Sequence, residues 1–167
     1  MIEGDRVAVT VTVDVSPEDA FDAFTQQIDS WWRRGVAYRV AGRKPGTIAF
    51  EAKLGGRLFE EYQGPDGPLV HEAGKVTAWD PPHRLAFEWR GSNFEAGEKT
   101  FVEVTFTLME SGRTRLELVH TGFAALRPGH PVRHGEPTVV FIRRLGMWWG
   151  DLLGALREHV AIGNTAA

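Results

Sequence analysis

Val7, Val9, Val11 and Val13 alternate with Ala8, Thr10, Thr12 and Asp14, the period of two expected of a half-buried strand. The spacing then changes. Ser16-Pro17-Glu18-Asp19 supplies a cap, a proline at the first helical position and acids in the first turn. Ala20, Phe21, Phe24 and Ile28 follow at helical spacing, predicting a helix that ends near Asp29-Ser30, before Trp31-Trp32. Residues 33–46, broken by Gly35, Gly42, Pro45 and Gly46, read as irregular.

Strand patterns resume at 47–54 and 57–63, and Gly55-Gly56 between them predicts a tight hairpin. Gly64-Pro65-Asp66-Gly67-Pro68 is a turn. The strand predicted at 69–79 is stopped by Asp80-Pro81-Pro82, because proline cannot donate to a ladder. Leu85, Phe87 and Trp89 alternate in the next strand. Two more strands, carrying Val102, Val104, Phe106, Leu108 and then Leu116, Leu118, His120, pair across Ser111-Gly112. Residues 122–137 hold three prolines and three glycines and read as a loop. From Thr138, Phe141, Leu145, Trp148, Leu152 and Leu156 form one apolar stripe. That helix is expected to reach about Ala161 and end at Gly163, leaving 164–167 frayed.

Strand, helix, about six strands and a long helix, joined mostly by short loops, predict an α+β chain with an antiparallel sheet. A sheet of that extent must twist and curl, and the Trp-rich terminal helix is the one element long enough to cover its concave face. The fold class expected is a helix-grip arrangement, a curved antiparallel sheet of about seven strands wrapped around a long C-terminal helix, with residues 1–167 as one domain. That geometry tends to leave a void between helix and sheet.

Composition narrows the function classes. Ten Phe, six Trp and two Tyr can fill a sizeable core, and a net charge of −3 offers nothing to nucleic acid or an anionic membrane. The chain has no cysteine, which excludes disulfides, thiolate metal sites and cysteine nucleophiles. The first five residues lack the basic and apolar regions of a leader, and no apolar run approaches the ~18 residues of a membrane span. The expected location is cytoplasmic. His130 and His134 share a loop with Pro131, which argues against a helical metal pair, so no metal and no cofactor are expected.

Strand parity selects the candidate polar groups. If Leu116 and Leu118 face inward, so does His120; Leu58 and Tyr62 carry Glu60 inward, and Val70, Gly74 and Val76 carry Glu72. A histidine and carboxylates on an apolar face form a candidate proton-transfer set, since burial raises carboxyl pKa values. Against this, a bulge would shift the parity by one residue. Gly146, Gly150 and Gly154 recur every four residues on the last helix. They predict close backbone packing within the fold, with a homodimer as the alternative.

Several segments resemble one superfamily: Val13-Asp14-Val15-Ser16-Pro17-Glu18-Asp19-Ala20-Phe21, Trp31-Trp32, Gly55-Gly56-Arg57-Leu58-Phe59-Glu60, Gly74-Lys75-Val76-Thr77-Ala78-Trp79-Asp80-Pro81-Pro82, Leu85-Ala86-Phe87-Glu88-Trp89, Thr114-Arg115-Leu116-Glu117-Leu118-Val119-His120-Thr121-Gly122-Phe123 and Trp148-Trp149-Gly150-Asp151-Leu152-Leu153. In order and spacing they resemble the SRPBCC, START-like superfamily, and within it the homologues of the activator of heat-shock protein 90 ATPase. The resemblance spans residues 7–156. It implies a helix-grip fold and a role among lipid carriers, polyketide cyclases, chaperone cofactors and small proteins of unknown role.

The leading expectation is non-enzymatic binding of a small apolar or aromatic molecule. The expected cavity residues are Trp31, Trp32, Phe50, Phe87, Trp89, Phe106, Leu116, Phe123, Trp148 and Leu152, with Glu60 and His120 as polar contacts and no catalytic residue assigned. The alternatives are a cyclase-like or hydrolytic enzyme using His120 and Glu60, and a chaperone-cofactor or protein-interaction module.

Overall fold

The computed structural model describes residues 5–166, with side chains described to residue 162. The leader reading of residues 1–4 and the fraying of Ala167 lie outside the described residues. Strand β1, Arg6–Val13, buries Val7, Val11 and Val13, as its alternation requires. Helix α1, Pro17–Thr25, is capped by the Ser16 hydroxyl, which accepts the Asp19 N–H at 3.2 Å. It stops earlier than its apolar spacing predicts, and α2, Ile28–Trp31, follows after a break at Gln26-Gln27. The break has a visible cause. Thr25 Oγ1 donates to the Phe21 carbonyl at 2.7 Å, a back-bond that bends helices, and Trp31 Nε1 donates to the Ala23 carbonyl at 2.9 Å. The turn brings Ile28 and Trp31 into the core.

The remaining strands are β2 Gly46–Phe50, β3 Arg57–Gly64, β4 Gly67–Asp80, β5 Arg84–Trp89, β6 Thr100–Leu108 and β7 Thr114–Thr121. Strand β2 ends at Phe50, so residues 51–56 form a wider connection than a two-residue hairpin. The Glu51 carboxylate takes both the Arg57 N–H and its guanidinium, which closes this loop in place of a ladder. The β3–β4 hairpin turns at Pro65-Asp66 as expected, with Gly67 at φ +128°.

Among the described residues these seven strands make one antiparallel, curved, open sheet in the order β1-β7-β6-β5-β4-β3-β2. Only β1 leaves chain order, pairing with β7 and so joining the two ends of the strand run. Helix α3, Thr138–Ala166, packs against β1, α1 and α2. It continues through Gly163: one glycine inside a helix costs about 1 kcal/mol, too little to end it. No described helix is long and apolar enough to cross a membrane.

Rings fill the space under the central part of α3. Trp149 is fully buried and meets Trp32 edge-on, with centroids 5.7 Å apart. Phe21 and Phe24 of α1 pack on Phe106, and Phe50 packs on Phe87. The predicted void is therefore absent there. The glycine stripe is also corrected: a Cβ at Gly150 or Gly154 would meet nothing within 4 Å, and one at Gly146 only Val7 Cγ1 at 3.9 Å. Close packing within the fold does not require these glycines.

Candidate functional site

Where the rings stop, at the N-terminal end of α3, a pocket of about 410 Å³ remains. Four pieces of chain enclose it against the sheet. The first half of α3 contributes Phe141, Arg144, Leu145 and Trp148. The 36–40 loop contributes Tyr38, and the start of the β5–β6 connection contributes Arg90, Ser92 and Asn93. The 122–137 segment contributes Phe123, Val132 and His134, and Trp89 of β5 also borders the space. The volume lies in the range of ~300–1,000 Å³ common for small-molecule sites.

The 33–42 loop carries no regular structure, so its position rests on side chains. Arg39, buried, forms an ion pair with Asp29 at 2.7 Å and donates to the carbonyls of Asp29, Trp32 and Arg33. Burial would raise the Asp29 pKa. The Ile48 N–H and the Arg39 guanidinium outweigh that and hold it below the ordinary carboxylate value. Glu60 holds the loop from the sheet side, its two oxygens accepting the N–H groups of Val40 at 2.9 Å and Ala41 at 2.8 Å. On the helix side Tyr38 stacks on Trp148 with centroids 5.9 Å apart, and Trp148 Nε1 donates to the Ala37 carbonyl at 2.6 Å.

His120 borders the pocket and is 1% exposed. Its Nδ1 accepts the Trp149 indole N–H at 3.0 Å, so Nδ1 carries no proton. Nε2 lies 2.7 Å from Thr100 Oγ1, whose hydroxyl donates to the Trp89 carbonyl at 3.0 Å. The chain of donors therefore runs from Trp149 through His120 and Thr100 to Trp89, and the imidazole is the neutral Nε2–H tautomer. Burial pushes its pKa down to about 3. Both nitrogens are occupied, which leaves the acid–base reading without its histidine.

A second buried histidine fixes the opposite lip. His130 Nδ1 accepts the Val132 N–H, and Nε2 lies 3.0 Å from Glu98. Glu98 also receives the Glu95 N–H and Arg127, and these hydrogen bonds lower its pKa to about 2, with the Glu95 N–H the largest effect. The 122–137 segment is thus tied to the β5–β6 connection. Among the described residues no cluster of three or more His, Asp or Glu gathers as a metal set.

Of the twelve residues expected at a cavity, Glu60, Trp89, His120, Phe123 and Trp148 border this pocket. Trp31, Trp32, Phe50, Phe87, Phe106, Leu116 and Leu152 lie elsewhere, in the packed core. Inward parity led to both groups, since an inward side chain meets either space or another ring. Glu72 is a correction. The register slips between Leu58 and Phe59, leaving Ala73 as an extra residue, so Glu72 pairs with Phe59 and His71 pairs with Glu60. Cross-strand partners share a face, so His71 takes the pocket side and Glu72 the other. Tyr38, Arg90, Phe141, Arg144 and Leu145 also line the pocket. Of these, Phe141 and Leu145 lay on the predicted apolar stripe of the last helix, whereas Tyr38 and Arg90 carry no periodic signal.

Solved structures with the same fold span almost the whole chain. A protein of unknown function from Staphylococcus aureus, SA2116, matches with a TM-score of 0.67 at 16% identity, covering 98% of each chain. An HSP90 activator from Plasmodium falciparum, PFC0360w, matches with a TM-score of 0.61 at 19% identity, covering 94% of this chain and 96% of its own. The Aha1 dimer from Colwellia psychrerythraea gives 0.59 at 16% identity over 95% of each chain. No curated protein sequence matches. The family model for Activator of Hsp90 ATPase homolog 1-like protein matches residues 14–139, from the end of β1 into the first turn of α3, and the chain belongs to that family.

Proposed function

We propose that this chain binds a small apolar or aromatic molecule in the pocket at the N-terminal end of α3. The observation that carries this reading is a space of about 410 Å³ bordered by Tyr38, Trp89, Phe123 and Trp148, beside a core that rings fill beneath the central part of α3. Trp89 and Trp148 border the pocket and are only partly buried, so both can report the arrival of a ligand. N-phenyl-1-naphthylamine is the test probe. It is expected to bind saturably with energy transfer from tryptophan. Leu145→Trp, which places an indole in the pocket wall, is expected to abolish that binding while the circular dichroism spectrum is retained. Saturable binding that survives the filled pocket would place the probe elsewhere and remove the proposal. Its cytoplasmic setting is part of the same reading, since a cysteine-free chain suits a reducing compartment.

A second reading draws support from the family match and from the Plasmodium falciparum neighbour: a cofactor of a heat-shock protein 90 chaperone. The exposed apolar residues Val36, Val139 and Met147, beside the mouth and along the outer side of α3, are the surface such contact would use. Stimulation of chaperone ATPase activity by the purified chain is its measurement, and a flat response across a concentration series removes it. A homodimer, as in the Colwellia neighbour, is read by light scattering.

A further inference from the structure

We infer that the pocket prefers an aromatic acid, a flat apolar body with one anionic head, and that Arg90 and Arg144 at its rim receive the head. This rests on the binding reading above and adds charge to it.

Charged groups bordering the pocket are unevenly matched: three guanidinium groups, Arg39, Arg90 and Arg144, stand against one carboxylate, Glu60. Three of these four are paired or occupied within the fold. Arg39 is neutralised by Asp29, Arg144 is ion-paired with Glu136, and both Glu60 oxygens take backbone N–H groups. Arg90 is different. Its Nε and Nη2 donate to the carbonyls of Glu98 at 2.9 Å and Glu95 at 3.0 Å. Both acceptors are uncharged, and among the described residues Arg90 has no carboxylate partner. Its guanidinium is half-buried, which limits the solvation that would otherwise screen the charge. The carbonyls hold the plane of the group while its Nη1 makes no hydrogen bond.

Arg144 adds a second donor. Its Nε pairs with Glu136 at 2.9 Å and its Nη2 donates to the Val132 carbonyl at 3.0 Å, again leaving Nη1 unused. Both arginines are therefore held by their neighbours and retain a donor each. A pre-oriented guanidinium loses little entropy on meeting a carboxylate or sulfonate. Ser92 and Asn93, which also border the pocket, supply neutral polar contacts. Tyr38, Trp89 and Trp148 add aromatic surface to the same lining, which suits a flat body rather than a flexible chain.

A matched pair of probes tests this. N-phenyl-1-naphthylamine and 1-anilinonaphthalene-8-sulfonate share one ring system and differ by the sulfonate. At low ionic strength the sulfonate is expected to bind about tenfold more tightly, the scale of a charge-assisted hydrogen bond at a half-exposed site. Added salt should shrink that ratio. Arg90→Gln and Arg144→Gln should each bring it toward one, with the neutral probe reporting whether the pocket survives the substitution. Equal affinities in the wild-type chain, a ratio indifferent to salt, or a preference that persists in both variants would each overturn the inference. Binding of the neutral probe alone would overturn the anion preference and leave the binding reading standing. Failure of both probes would remove both.

Discussion

His120 shows how one side chain changes its meaning on folding. On a strand pattern it is an inward histidine available for proton transfer. In the structure Trp149 and Thr100 occupy its two nitrogens, and burial holds its pKa near 3. The folded-state pKa lies below the unfolded value of about 6.5. The unfolded chain therefore takes up a proton below pH 6.5 that the native state refuses. Stability from this group is complete above pH 6.5 and is lost as pH falls toward about 3. The loss between pH 7 and pH 5 is expected to be about 2 kcal/mol, read from urea denaturation as the difference in pH dependence between wild type and His120→Gln. Identical slopes in the two proteins would show that the imidazole titrates freely. Trp149→Phe removes the indole donor and leaves Nδ1 buried without a partner, which should cost about 1–3 kcal/mol in the same assay.

At the scale of the element, the 33–42 loop and α3 make opposite cases. The loop has no ladder or helix to hold it and depends on Glu60 and Arg39 reaching it from β3 and from within the loop itself. Glu60→Gln replaces one acceptor with a donor that opposes a backbone N–H. Hydrogen exchange at Val40 and Ala41 is expected to accelerate selectively while the β6–β7 amides keep their protection. Uniform acceleration would instead mean global destabilisation. Helix α3 has more freedom than its glycines suggest. Open space around Gly150 makes Gly150→Ala stabilising by about 0.5–1 kcal/mol, visible as a raised thermal midpoint. Gly74 behaves in the opposite sense, because a Cβ there would overlap the Glu88 carbonyl of the neighbouring strand. Gly74→Ala should lower the midpoint.

At the scale of the whole molecule, ligand binding and stability are linked, because the pocket is assembled from α3, three loops and the sheet and exists only in the folded chain. N-phenyl-1-naphthylamine at a hundred times its dissociation constant should stabilise the protein by about 2.7 kcal/mol. Calorimetry with and without the probe measures this, and an unchanged midpoint at saturation would mean that the probe does not select the native state.

Local physics made much of this architecture readable in the chain. The alternation of Val7 to Val13, the Ser16-Pro17 cap, the Pro65-Asp66 turn and the stripe from Phe141 to Leu156 each depend on neighbours within a few residues. They survive in the structure with small shifts of boundary. The pocket did not follow from the same signals. Whether an inward ring lines a space or fills it depends on partners far away in sequence: Trp32 is sealed by Trp149, while Trp89 and Trp148 stand beside an opening. One extra residue at Ala73 exchanged His71 for Glu72, and Tyr38 and Arg90 reached the site from loops without periodicity. Periodicity determines which way a side chain points, because that is set by backbone geometry. What it meets there is decided by the packing of segments a hundred residues apart, and only the tertiary structure contains that.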